Sequence, residues 1–144
     1  MFTSLKYSIN LLSQKYWGAS AAGILLQAED TGNYLIALRS QDVMEPGTWG
    51  IIGGKIDDDE DPEMAARREL QEETGYNGPL DLKLIHIYED EKEDFKYYNF
   101  LGTIPEEEDF EPNWETDDFV WMSLENLKSM PDLHFGLEEL LGYV

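Results

Sequence analysis

The sequence has no cysteine, so disulfides, thiolate metal sites and a cysteine nucleophile are excluded. The reducing cytoplasm is then the expected compartment. Basic residues are scarce: 10 Lys and Arg stand against 31 Asp and Glu, a formal charge of −21 over 144 residues. A chain so poor in cations lacks the clustered Lys and Arg that neutralise a nucleic-acid backbone, so no long nucleic-acid partner is expected. The same shortage argues against docking on anionic membranes. No apolar run approaches the roughly 20 residues of a membrane span, and the start MFTSLKYSINLLSQKYWG has no signal-peptide core. Two histidines far apart, His86 and His134, make a histidine-based metal site improbable.

What is present is enough for a packed core. Apolar residues are 42% of the chain and aromatics 12%, so global disorder is not expected despite the charge. The length fits a single domain, 1–144, with residues 1–17 read as an arm or a first strand. ASAAGILLQA and YLIALRS flank the turn EDTGN and predict a β-hairpin. QDVMEPGT reads as a loop, and WGIIGGKI as a short strand or turn whose Gly53 and Gly54 allow a tight backbone path. Asp61 as N-cap, Pro62 at the first helical position and Gly75 as the stop predict a helix over 62–74. LDLKLIHIYED and FKYYNFLGTI read as strands, PEEEDFEPNWETDD as an acidic loop and FVWMSL as a short strand. A helical turn over 124–130 and a closing amphipathic helix in FGLEELLGY complete the chain. The class is α+β, or a mixed α/β sandwich.

On the central helix Glu69, Glu72 and Glu73 stand at i, i+3 and i+4, which places three carboxylates on one face. Like charges at that spacing repel, and a divalent cation bound by hard oxygen ligands is the simplest offset. Arg68 can steady a neighbouring carboxylate by a charge-assisted hydrogen bond. Most Glu-rich helix faces are nevertheless solvated surface, and spacing alone does not decide the matter.

The longer string does. GKIDDDEDPEMAARRELQEETGY resembles the signature of the Nudix hydrolases: Gly, five residues, Glu, seven residues, then Arg-Glu-aliphatic-x-Glu-Glu-x-Gly-aliphatic. Gly54, Glu60, Arg68, Glu69, Leu70, Glu72, Glu73 and Gly75 match in register. Tyr76 departs from the final aliphatic position, Ile52 replaces the proline of the common lead-in, and Asp57 replaces a frequent Glu. The resemblance implies a Nudix-type α/β/α sandwich with a mixed sheet and a loop–helix–loop catalytic motif. It implies Mg²⁺-dependent (or Mn²⁺-dependent) hydrolysis of a nucleoside diphosphate linked to another group. A MutT-like action on nucleoside triphosphates is favoured, with ADP-ribose, dinucleoside polyphosphates and nucleotide sugars as alternatives. A silent nucleotide sensor and an RNA-end hydrolase are further readings.

By matching, Glu69, Glu72 and Glu73 look like metal ligands, joined by the backbone carbonyl of Gly53. Glu69 is also the candidate general base. Arg68 resembles the partner of the acidic helix, and Glu60 the position that pairs with an Arg. A further ligand is expected from the acids between Glu106 and Asp118, with Glu115 preferred for its distance from Trp121. Arg39 and Lys55 are candidates for phosphate contact. Trp17, Trp49, Tyr97, Tyr98 and Trp114 are candidates to stack on a base, though core packing is the commoner role of such residues. The family resemblance also raises the prospect of a homodimer.

Overall fold

In the computed structural model, residues 20–41 and 46–144 are described, with Phe135 by its backbone alone. The expected arm 1–17, and Trp17 with it, lies outside the described residues.

The strands are β1 (Ser20–Ala28), β2 (Tyr34–Arg39), β3 (Trp49–Gly50), β4 (Ile52–Lys55), β5 (Asp81–Asp90), β6 (Phe95–Ile104) and β7 (Thr116–Met122). The helices are α1 (Pro62–Thr74), α2 (Leu124–Lys128) and α3 (Phe135–Leu140), followed by a 3₁₀ turn, Leu141–Tyr143. One mixed seven-stranded sheet runs β3-β2-β1-β6-β5, with β4 added to β1 and β7 to β2. The hairpin β1–β2 forms at its turn, where Gly32 takes φ +75°, but only Leu26–Leu35 and Gln27–Tyr34 pair. The strands then separate. β1 pairs antiparallel with β4 from Ala21–Lys55 to Ile24–Ile52 and parallel with β6 along its whole length.

Strand alternation sends side chains to two cores. Ala22, Ile24 and Leu26 of β1 pack with Ala65, Ala66 and Leu70 of α1. Leu25 faces the other way, onto Leu127 of α2 and Leu137 and Leu140 of α3. The architecture is therefore helix, sheet, helix, as the sequence pattern and the resemblance imply. Tyr76, at the signature's aliphatic position, is buried in the α1-side core and meets Phe110 edge-on.

Helix α1 has the predicted limits because its caps are written into the sequence. Asp61 accepts from the Met64 N–H at 2.8 Å, and Gly75 enters the left-handed region at φ +77° while its N–H reaches the Gln71 carbonyl. Two expectations need correction. WGIIGGKI forms two short strands, β3 and β4, because Trp49–Gly50 pairs with β2 whereas Ile52–Lys55 pairs with β1. The acidic loop is shorter than predicted, since Thr116, Asp117 and Asp118 already belong to β7. Their backbones complete a ladder with β2 while the two Asp side chains stay in solvent, so polarity hid the strand. Among the described residues no helix is long and apolar enough to cross a membrane.

Candidate active site at the Gly53–Gly54 strand and helix α1

The face of α1 that meets the sheet carries Ala66, Leu70 and then Glu73, at i, i+4 and i+7, so the core stripe ends in a carboxylate. Glu73 is 8% exposed. The three glutamates predicted to share one face are therefore not equivalent: Glu69 is nearly as enclosed as Glu73, whereas the Glu72 side chain is 59% exposed. Helical rotation separates positions 72 and 73 by about 100°, enough to put one in the core and the other at its rim.

Arg68 organises the rim. Its Nε and Nη2 donate to the two Glu60 oxygens at 2.7 and 2.9 Å, a bidentate pair. Nη1 donates to Glu69 at 3.0 Å and Glu72 at 3.1 Å, and Nη2 also reaches the Lys55 carbonyl at 2.9 Å. Glu60 in turn accepts from the Asp57 N–H. The hydrogen bonds from Arg68 hold the Glu60 carboxyl below its ordinary range, and the same contacts push the guanidinium further up.

Deeper in, the balance reverses. Burial raises the Glu69 carboxyl. Burial raises that of Glu73 well above its usual range, with the charges of Glu69 and Glu115 adding to the effect and the nearby Gly53 N–H opposing it. Glu69 and Glu73 are in hydrogen-bonding contact, which two carboxylates sustain only with a proton or a cation between them. The second Glu73 oxygen, Oε2, has no hydrogen-bond partner although it is buried. A Cβ at Gly54 would overlap the Glu69 carboxylate, so glycine there forms the cradle in which that group lies.

Glu115 reaches this cluster from the other end of the chain. Ser40, just past β2, donates its N–H to the Glu115 carbonyl at 3.0 Å and its hydroxyl to the Trp114 carbonyl at 2.7 Å. Asn113 caps the Glu115 N–H. The Glu115 carboxyl is raised by burial and by the charges of Glu69 and Glu72, and lowered by Arg39. One other acid of the loop, Glu107, is engaged elsewhere. Glu107 accepts from Thr31 and Asn33 at the hairpin turn, and the Glu108 carbonyl takes the Trp121 indole N–H.

The remaining candidates divide. Arg39 ends β2 close enough to Glu115, Tyr97 and His134 to act on all three. Lys55 is exposed, and its carbonyl rather than its ammonium is tied to Arg68. Trp49 and Tyr98 pack against the cores, whereas Trp114 is 67% exposed beside Glu115. His134 is a capping residue: its Nδ1 accepts from the Gly136 N–H, and burial drives the ring down to about 3, keeping it neutral. His86 lies on the face of β5 toward the chain end, stacked on Tyr143 at 4.3 Å. Its Nε2 is 3.4 Å from Glu139 but outside hydrogen-bond geometry. Sequence reasoning missed Gly23, which pairs with Gly53 and opens space for the Tyr97 ring. No linear spacing links residues 23, 53 and 97.

The donor set suits a hard cation: crowded carboxylates, one with a buried oxygen that nothing satisfies, beside a backbone able to approach closely. Among the described residues no three acidic or histidine side chains encircle one point as they stand, and Glu72 is drawn outward to Arg68.

Residues 18–141 match the NUDIX domain. The chain belongs to the NUDIX family. Members of that family generally use divalent metal ions. A Mycobacterium tuberculosis relative provisionally named 8-oxo-dGTP diphosphatase 3 is 31% identical over 130 residues, covering 84% of this chain and 59% of that protein. A Klebsiella pneumoniae nucleoside triphosphatase, NudI, is 30% identical over 117 residues, covering 70% of this chain and 80% of its own. The chain thus spans little more than half the length of the first of these NUDIX relatives. A Nudix hydrolase from M. smegmatis, RenU, superposes with a TM-score of 0.74 at 24% identity, covering 85% of this chain and 81% of that one. At that identity the likeness speaks for the fold.

Proposed function

We propose that this NUDIX protein hydrolyses a diphosphate linkage in a nucleoside diphosphate bearing a further group, with a nucleoside triphosphate or another small nucleotide as substrate and Mg²⁺ (or Mn²⁺) as cofactor. The observation that carries the reading is the crowding of Glu69 and Glu73 beside Gly53–Gly54, within reach of the charge of Glu115, with Glu73 Oε2 buried and without a partner. Such a group costs about 1–3 kcal/mol when left unsatisfied, and a fold that retains it in a cleft of carboxylates has a use for it. The residues that would hold the cation are Glu69, Glu72, Glu73 and Glu115, with the Gly53 carbonyl. When bound, the cation neutralises phosphate oxygens and makes water acidic enough to attack near neutral pH.

The chain's own groups do the rest. Arg68 holds Glu69 and Glu72 through one nitrogen, so both carboxylates keep a fixed bearing on the cleft. Glu69, raised by burial, is a better proton acceptor than an exposed carboxylate and suits the role of general base. Arg39, whose charge is felt at Glu115 and Tyr97, is our first candidate to meet a phosphate oxygen; Lys55 is a more exposed second candidate. The names of the relatives support a nucleoside triphosphate, and NudI is the relative covered over most of its length.

The test is a panel of nucleoside triphosphates, oxidised triphosphates, ADP-ribose, dinucleoside polyphosphates and nucleotide sugars, assayed with Mg²⁺ and with Mn²⁺. Pyrophosphate release from a triphosphate supports the favoured substrate class. Turnover of a different substrate moves the assignment within the family. No turnover of any compound with either metal sinks the hydrolase reading.

A further inference from the structure

We propose that Tyr97 is a positioning residue: from the far face of the sheet its hydroxyl fixes the Gly53–Gly54 backbone against which the Glu69 carboxylate lies, and so sets the affinity of the acidic cluster for a divalent cation. The cation half of this inference rests on the function proposed above; the placement of Gly53 does not.

Tyr97 on β6 stands beside Ala21 on β1 and packs on the face away from α1, with Ala21 and Phe95. Its ring does not stay over β6. A Cβ at Gly23 would lie 2.5 Å from the Tyr97 hydroxyl oxygen and 2.9 Å from its Cε1, so the ring crosses β1 at a position that only glycine leaves open. A Cβ at Gly53, on the next strand, would overlap the same hydroxyl. Gly23 and Gly53 are direct partners in the ladder. Two facing glycines therefore make a window in the sheet, and the phenol fills it.

On the other face, the next residue, Gly54, lies under the Glu69 carboxylate, and the Gly53 N–H is near enough to Glu73 to draw its carboxyl down. The Gly53–Gly54 strip is thus held between a phenol below and two carboxylates above. Glycine has the widest backbone freedom of any residue, and β4 is only four residues long. Without the phenol oxygen, the Gly53 peptide loses its contact on that face and gains room to tilt within the ladder. The hydroxyl oxygen is the atom in contact, which explains tyrosine rather than phenylalanine. Burial, then the charge of Glu73, holds the phenol neutral.

Tyr97→Phe removes that oxygen and keeps the ring. In metal-free protein the Gly53 amide should shift in the ¹H–¹⁵N spectrum and exchange faster with solvent. Mn²⁺ affinity, read by calorimetry, should fall about tenfold, the usual effect of removing a group that orients a ligand. Turnover should recover at saturating Mn²⁺, which a general loss of structure would not allow. Gly23→Ala can house its Cβ only by displacing Tyr97 and the tip of Ile51. It should reproduce the defect, and the double variant should be no worse than either single one. An unchanged Gly53 amide and unchanged Mn²⁺ affinity in Tyr97→Phe overturn the inference, as do additive losses in the double variant. If the wild type itself binds no Mn²⁺, the proposed function fails, and the Gly53 amide alone decides whether Tyr97 positions it.

Discussion

Glu73→Gln should stabilise the metal-free protein and abolish its response to metal. The reasoning starts from burial. Glu73 is 8% exposed, its Oε2 lacks a partner, and the charges of Glu69 and Glu115 act on it. A glutamine of the same shape keeps an oxygen for the Gly53 N–H and brings an NH₂ that can donate to Glu69. The substitution removes one buried like charge and supplies the donor that the pair of carboxylates lacks. Relief of an unsatisfied buried group is on the order of 1–3 kcal/mol. For a domain of this size that corresponds to roughly 3–12 °C in Tm.

The sign with pH follows from linkage. The Glu73 carboxyl is raised in the fold, so the native state binds its proton more tightly than the unfolded chain does. The penalty is therefore absent below the ordinary value of 4.5 and develops as pH rises through the raised value. The advantage of Glu73→Gln should be largest at pH 8 and should vanish as pH falls toward 4.5. Saturating Mg²⁺ inverts the order. A cation at a hundredfold excess over its Kd stabilises the native state by about 2.7 kcal/mol, and only the wild type holds it. Thermal melts at pH 5 and pH 8, with EDTA and with Mg²⁺, give four comparisons. A variant less stable than wild type at pH 8 in EDTA would refute the reasoning, as would an equal Mg²⁺ shift in both proteins.

Glu72→Gln, at an exposed position, should leave Tm nearly unchanged while turnover falls by orders of magnitude; wild-type turnover would remove Glu72 from the cation site. Glu115→Gln should lower Mn²⁺ affinity about tenfold, whereas Glu107→Gln, which loses only its contacts to Thr31 and Asn33, should not; calorimetry separates them. Glu60→Gln breaks the bidentate pair with Arg68 and should lower Tm more than it lowers kcat. Because the Glu60 carboxyl is depressed in the fold, its contribution is present above the ordinary value and lost as pH falls through the depressed one, so the gap to wild type should close in acid.

Helix α1 was legible to the residue because its signals are local. Asp61, Pro62 and Gly75 each act within one turn of their own position. The Glu60–Arg68 pair was legible for a related reason, since one short loop and two helical turns bring the residues together. Glu115 was different. Its charge acts on Glu69 because β7 pairs with β2, placing Arg39 opposite Thr116 with a shift of register beside Leu38, and because Ser40 then binds both Trp114 and Glu115. Pairing across about 75 residues leaves no trace in spacing. The division among the three glutamates was hidden as well. Spacing puts them on one side of the helix, but only the position of the sheet determines which of them is buried. The start of β7 was obscured because Asp117 and Asp118 are polar on a strand whose backbone, not side chains, holds it in place.

The net charge of −21 looks ill suited to a polyphosphate substrate, and its distribution explains how the two are compatible. At physiological salt, exposed charges are screened beyond about 8 Å. The acids of the β5–β6 turn and, Glu115 apart, those of the loop after β6 therefore matter mainly to solubility. At the cleft the field is set by Glu69, Glu72, Glu73 and Glu115 against Arg68 and Arg39. Arg68 is already matched by Glu60, Glu69 and Glu72. A bare polyphosphate would thus meet a surface of net negative charge. Divalent cations bound there as proposed would reverse that local balance, because each adds two positive charges beside carboxylates that are largely buried. If the proposed function holds, the acidity that argues against nucleic acid and anionic membrane as partners should act as a filter at the acidic cluster, favouring phosphates that arrive with metal: substrate affinity should then fall steeply as Mg²⁺ is withdrawn, and affinity independent of Mg²⁺ would refute the argument.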